Sequence, residues 1–170
     1  MPDPAPPLTP LAAAVLHVGA PERILALECG DGEPALFLAR EFPLARVRGV
    51  DRSEDAVRRA TGRVGLDPEG RVAFKQGTPR SLPFPDDHFD LVTAVDAAPS
   101  PGELERVLRP GGFLAFARSR GDEALRGPAG SLLRRRLARH GIEPIWSEAA
   151  GEGSFSVFRL GRPGPPPASQ

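Results

Sequence analysis

Two glycines and an acid are the first residues whose spacing suggests chemistry. The apolar run Ile24–Leu27 gives way to Glu28-Cys29-Gly30-Asp31-Gly32, and a second apolar stretch follows Pro34. Glycine permits backbone shapes closed to other residues and lets a ligand approach the main chain. A helix opening just after it presents unpaired N–H groups to polar ligand atoms. Asp51 then follows Gly30 by 21 residues, at the end of another apolar run. A carboxylate there accepts hydrogen bonds from ribose hydroxyls, at about 1.5–3 kcal/mol each for bonds to a charged group. Glycines and acid together point to a nucleoside-containing cofactor. Taken alone they do not choose among nucleosides, because Gly30-x-Gly32-x-x-Ala35 also satisfies a dinucleotide fingerprint, and a tight turn uses glycine without any ligand.

These residues need a scaffold that brings strand ends together. Arg23–Leu27, Arg46–Val50, Arg71–Lys75, Phe89–Val95 and Phe113–Ala117 read as strands, the fourth apolar throughout, as in a parallel sheet covered on both faces. Between them fall helix candidates at Pro34–Glu41, after the N-cap candidate Ser53, and after Ser100–Glu103, whose sequence fits a capping box. Pro110-Gly111-Gly112 is expected to stop the third of these. Leu11–Val18 and Ser131–His140 are further helices, and Ile142–Trp146 and Ser154–Leu160 are two final strands with a short connection. So short a connection cannot cross over, so the last strand must run antiparallel to its neighbour. The expected fold is a doubly wound, mostly parallel seven-stranded sheet in three α/β/α layers. Residues 11–160 form one domain between disordered Pro-rich tails, 1–10 and 161–170.

Composition narrows the function. Of 170 residues, 40% are hydrophobic, enough for a core, and no apolar run approaches the roughly 20 residues of a membrane span. With 22 basic and 22 acidic residues, no global charge draws the chain to nucleic acid or anionic lipid. One cysteine allows no internal disulfide, and no basic-then-apolar leader is present at the N-terminus, so a cytoplasmic location is expected.

Four stretches, in order, resemble class I S-adenosylmethionine-dependent methyltransferases of the type 11 kind: "ILALECGDG", "VRGVDRSEDAVRRA", "QGTPRSLPFPDDHFDLVTAVDA" and "ELERVLRPGGFLAFA". The resemblance covers Ile24 to Ala117 and implies S-adenosylmethionine as cofactor and methyl transfer to an unidentified acceptor. By position it places Glu28, Cys29, Gly30 and Gly32 along the methionine and ribose portion. Asp51 falls on the ribose hydroxyls, with Arg52 flanking the adenine. Gly77, Thr78 and Pro79 line the adenine edge, and Val95 and Asp96 lie beneath the sulfonium. Asp96 is read as a turn former before a base, so no catalytic residue is assigned.

The chain departs from the family at Ala26, where an acid is usual, at Glu28, where glycine is usual, and at Thr78, where an acid contacts adenine. Strand alternation places Ala26 and Glu28 on one side. Either the carboxylate has moved two residues and now meets the cofactor's amino group, or Glu28 intrudes on the pocket. Only Ala97–Ser100 separate the fourth strand from the next helix, a place where relatives carry acceptor contacts. A large acceptor or a partner chain, such as a second copy in a homodimer, would then cover the site. The rival readings are a degenerate, non-catalytic binding module and a nicotinamide oxidoreductase. Arg134, Arg135, Arg136 and Arg139 read as a solvated helix face, His88 as a solvated loop residue, His17 and His140 as helix-closing imidazoles, and Trp146 as core or edge packing.

Overall fold

The computed structural model describes residues 7–122 and 128–161. A seven-stranded sheet has the order β3-β2-β1-β4-β5-β7-β6. Its strands are β1 (Arg23–Leu27), β2 (Arg46–Asp51), β3 (Val72–Gln76), β4 (Phe89–Val95), β5 (Leu108–Arg118), β6 (Ile142–Ala150) and β7 (Gly153–Leu160). The first five pair in parallel, and β7 is antiparallel to both β5 and β6, as the short last connection requires. The helices are α1 (Thr9–Ala14), α2 (Glu33–Glu41), α3 (Glu54–Gly62), α4 (Pro101–Val107) and α5 (Pro128–Ala138), with a 3-10 turn at Val15–His17. The expected doubly wound fold is therefore present. Of the two expected tails, residues 1–6 and 162–170 lie outside the described residues, and α1 begins at Thr9.

Strand alternation divides the core. Ile24 and Ala26 face a cluster with Leu11, Ala35 and Leu38 of α1 and α2. Leu25 and Leu27 face the opposite cluster with Leu104 of α4 and Leu137 of α5. A strand covered on both sides needs apolar residues at consecutive positions, which explains the unbroken runs in β1 and β4.

Several local expectations are corrected. Ser53 caps α3 as expected, its Oγ accepting from the Ala56 N–H at 3.2 Å. Ser100 makes no side-chain cap on α4. The box fails because Glu103 is engaged elsewhere, accepting from the Leu82 N–H at 2.8 Å and from Arg106. Pro110-Gly111-Gly112 is not what stops α4, which closes at Val107, but lies inside β5, at a register shift opposite Phe89 and Leu91. A bulge admits the residues that a regular strand would reject. β6 continues past Trp146 to Ala150, and Pro144 falls at its own register shift, which an edge strand tolerates. Trp146 packs at this edge, half-exposed and stacked on His17.

Arg106 fastens the long β3–β4 connection to α4. Its guanidinium donates to the carbonyls of Phe84 (2.7 Å) and Leu82 (3.0 Å), to Asp86 (3.0 Å) and to both oxygens of Glu103. Those bonds to Arg106, then the Leu82 N–H, hold the Glu103 carboxyl below the ordinary glutamate range. A carboxyl whose folded pKa is depressed stabilises the fold fully above its unfolded value. That contribution disappears as pH falls from the unfolded value through the folded one. Glu103→Gln is therefore expected to flatten the acid limb of the stability–pH curve and to cost about 1 kcal/mol at neutral pH. Urea unfolding across the acid range checks this; parallel curves for variant and parent would refute it.

Candidate functional site

The sheet reverses its winding between β1 and β4, where Leu27 pairs with Ala94. In sheets of this kind ligands lie beyond the carboxyl ends at that point. Four turns meet there: 28–32 after β1, 51–53 after β2, 77–81 after β3 and 96–100 after β4.

Asp51 ties the first two turns together. One carboxylate oxygen accepts from the Gly30 N–H at 3.0 Å and the other from the Ser53 N–H at 2.9 Å. The residue is only 9% exposed, so these bonds offset the burial of its charge. Gly30 has φ +55, and a Cβ built on it would meet nothing within 4 Å. Its backbone is therefore bare toward open space, beside an oriented carboxylate.

The other glycines differ. Gly32 is left-handed at φ +95, and a Cβ there would lie 3.0 Å from both Ala60 Cβ and Phe74 Cζ. It lets α2 pack against α3. At Gly77 a Cβ would meet Pro83 Cδ at 2.9 Å, another packing constraint. Cys29 is buried at 2% exposure and adjoins Gly49, so its thiol points into the core. Only its main chain is available to a ligand.

Glu28 adopts the left-handed φ of +44, so strand alternation stops at Leu27 and does not extend to it. Its carboxylate forms an ion pair with Arg52, whose Nε lies 3.0 Å from Oε1. Thr78 bridges to Ser81 and is exposed, and Pro79 beside it is buried. Val95 is half-buried, and Asp96 turns at φ +52 with its Oδ1 accepting from the Ser119 N–H at 2.9 Å. That bond makes Asp96 the turn former the sequence suggested.

A cleft of about 740 Å³ opens beside these turns, lined by Arg52, Thr78 and Pro79 together with Arg80, Arg136 and Arg139. The last three were not among the expected site residues. Arg136 and Arg139 stay exposed, as expected, yet face this cleft. The signal was available: residues 136, 139 and 140 share one helix face by their spacing. His140 pairs with Glu105 of α4 instead of capping carbonyls, and His88 is half-buried between Phe84 and Phe89, not solvated.

A methyltransferase-domain family model matches residues 24–112, more than half of the chain. Among curated proteins, the chain is 37% identical over 117 residues to 27-O-demethylrifamycin SV methyltransferase of Amycolatopsis mediterranei, covering 64% of this chain and 43% of that protein. It is 42% identical over 106 residues to demethylmenaquinone methyltransferase of Thermus thermophilus, covering 56% of this chain and 46% of that one. The chain thus spans less than half the length of these relatives. Among solved structures, a chain of the complex between a Haloferax volcanii methyltransferase activator and its methyltransferase superimposes with a TM-score of 0.77 at 16% identity, over 92% of this chain and 90% of that one. The fold and the site define a class I S-adenosylmethionine-dependent methyltransferase architecture. The chain belongs to the methyltransferase-domain family, and S-adenosylmethionine is the cofactor this membership implies. The open backbone at Gly30 and the oriented Asp51 carboxylate fit such a nucleoside. None of the helices among the described residues is long and apolar enough to cross a membrane.

Burial, then the Asp51 charge, pushes the Cys29 thiol up to about 12. The thiolate is the reactive form. The native protein is therefore expected to resist Ellman's reagent at mildly alkaline pH and to react fully only on unfolding in urea. Rapid labelling of the folded chain would show the thiol to be accessible and this packing to be wrong.

Proposed function

We propose that this chain binds S-adenosylmethionine at the carboxyl ends of β1, β2 and β4 and transfers its methyl group to an acceptor. The observation that carries the reading is the bare Gly30 backbone beside the Asp51 carboxylate. Bound S-adenosylmethionine supplies an electrophilic methyl on a sulfonium. Asp51, already oriented by two backbone N–H groups, accepts the ribose hydroxyls with its remaining lone pairs. The main chain of 28–32 borders the methionine portion, Arg52 flanks the adenine, and Gly77, Thr78 and Pro79 form its edge. Val95 and Asp96 lie beneath the reacting centre. Asp96 holds its own turn, so the protein's contribution is alignment and not proton transfer. The 96–100 connection is short, so the acceptor itself or a partner chain completes the enclosure. A cytoplasmic setting is part of the proposal, in keeping with a lone, buried, unpaired cysteine.

The Glu28–Arg52 pair favours a second reading. It joins the two turns that border the ribose site, and a chain that keeps it closed is a non-catalytic module. An ion pair this exposed is worth about 0–1 kcal/mol. Cofactor binding readily disrupts so weak a contact, which is why the catalytic reading is preferred.

Calorimetric titration with S-adenosylmethionine, S-adenosylhomocysteine and NAD separates the possibilities. The first two are expected to bind; NAD binding alone would indicate an oxidoreductase, and no binding would support the module. Asp51→Ala is expected to lower affinity at least about tenfold and also to destabilise the fold, since it orphans two N–H groups. Glu28→Gly isolates the gate: removing the pair is expected to strengthen S-adenosylmethionine binding by up to about fivefold. Weaker binding in that variant would mean that Glu28 contacts the cofactor directly.

A further inference from the structure

Two clefts of opposite character share a wall on the α4–α5 side of the site. The larger, of about 740 Å³, has at one end Arg52, Thr78 and Pro79, given above to the adenine, and beyond them Arg80, Arg136, Arg139 and His140, with no acidic residue among the described lining residues. The smaller, of about 230 Å³, is lined mainly by Phe116, Leu132, Leu133 and small residues, with Arg118, which stacks on the Phe116 ring, and Arg136 at its border. Ala98, Pro99, Pro101 and Arg136 belong to both. This shared wall directly follows the β4 end at Val95 and Asp96.

Charge in the larger cleft is unevenly satisfied. Glu28 engages Arg52, and Glu105 engages His140. Among the described residues, no carboxylate lies within the 4.0 Å ion-pair distance of Arg80, Arg136 or Arg139. In a chain of net charge zero, three such guanidinium groups around one cleft form a strong local positive field. The planar guanidinium matches phosphate and carboxylate through paired hydrogen bonds. Beside them Leu132 is 56% exposed, on the face of α5 that borders the apolar cleft.

We propose that the two clefts form one site for an amphiphilic anion: an acceptor whose phosphate or carboxylate sits among Arg80, Arg136 and Arg139 while its apolar body lies along Phe116, Leu132 and Leu133. Describing the occupant as the acceptor rests on the methyltransferase reading; the site itself does not. A nucleic acid also presents phosphates, but single-stranded recognition stacks bases on exposed aromatic rings. Of the two rings here, Phe116 is buried at 4% exposure and the His140 imidazole is engaged by Glu105, so neither is a free stacking platform. An amphiphile uses both clefts at once, and a nucleic acid uses only the charged one.

Octyl phosphate is the probe, titrated calorimetrically at fixed ionic strength against inorganic phosphate, octanol and a short single-stranded RNA. Octyl phosphate is expected to bind at one site, about tenfold or more tighter than phosphate or octanol. Both the double variant Arg136→Glu/Arg139→Glu and the single variant Leu132→Asp should lose about tenfold in octyl phosphate affinity. These side chains are exposed, on α5 and the turn just after it, and circular dichroism verifies folding of each variant. The proposal is overturned if octyl phosphate binds no tighter than both fragments, if neither substitution matters, or if the RNA binds more tightly. Octyl phosphate binding without S-adenosylmethionine binding would retain this site and sink the methyltransferase reading. S-adenosylmethionine binding without octyl phosphate binding would do the reverse.

Discussion

The site depends on one buried carboxylate. Asp51 ends β2, and its two oxygens reach backward to Gly30 and forward to Ser53. A charge so shielded is tolerated only with hydrogen bonds to satisfy it. Here the donors are main-chain N–H groups, one in the turn after β1 and one at the N-cap of α3. The same bonds fix the β1–α2 turn against the β2–α3 turn, so the floor of the crevice is set before a ligand arrives. The charge also acts on its neighbour, adding to the burial that keeps Cys29 protonated.

The walls are built differently. The β3–β4 connection is long and has no regular element of its own, though Leu82 reaches the core and Phe84 packs against it. It is held by Arg106, which closes two carbonyls and two carboxylates into one network with α4. Such networks around a single arginine outlast isolated surface pairs, because ordering one side chain serves several bonds. Thr78 and Pro79 therefore stand on a fastened loop, and Arg80 follows them into the cleft. The acidic residues that balance the chain's arginines are spent in such places: on Arg52, Arg58, Arg63, Arg106 and Arg109. Arg80, Arg136 and Arg139, around the cleft between α4 and the end of α5, are among the arginines that have no such partner among the described residues.

The order of the elements was legible because each leaves a local mark. Unbroken apolar runs marked β1 and β4, Ser53 with two following acids marked α3, and the short final connection required an antiparallel β7. The failures share a cause. Ser100–Glu103 has the composition of a capping box, but Glu103 has a better partner in Arg106, which lies in the next turn, and in Leu82, 21 residues away in sequence. Pro110-Gly111-Gly112 has the composition of a stop, but β4 accepts it as a bulge. Local composition states what a segment can do alone, and a distant partner decides what it does. The cleft arginines escaped for the same reason: α5 shows its exposed face in the sequence, but not what that face borders.

The glycine-rich turn shows how a motif can be kept in backbone and changed in chemistry. Of its two glycines, Gly32 is demanded by the packing of α2 on α3, and only Gly30 is bare toward open space. Ahead of them, where glycine is usual in the family, this chain has Glu28, held at φ +44, a conformation in which glycine is the easy choice. The turn thus retains its path while a carboxylate is added at its rim. Holding a non-glycine residue there costs roughly 1–2 kcal/mol, more than an exposed ion pair returns. Stability alone therefore does not account for Glu28. What it supplies is a charge on the border of the cleft, where it neutralises Arg52 and leaves Arg80, Arg136 and Arg139 to set the field. The uncompensated positive charge therefore lies away from Asp51, on the α4–α5 side of the cleft.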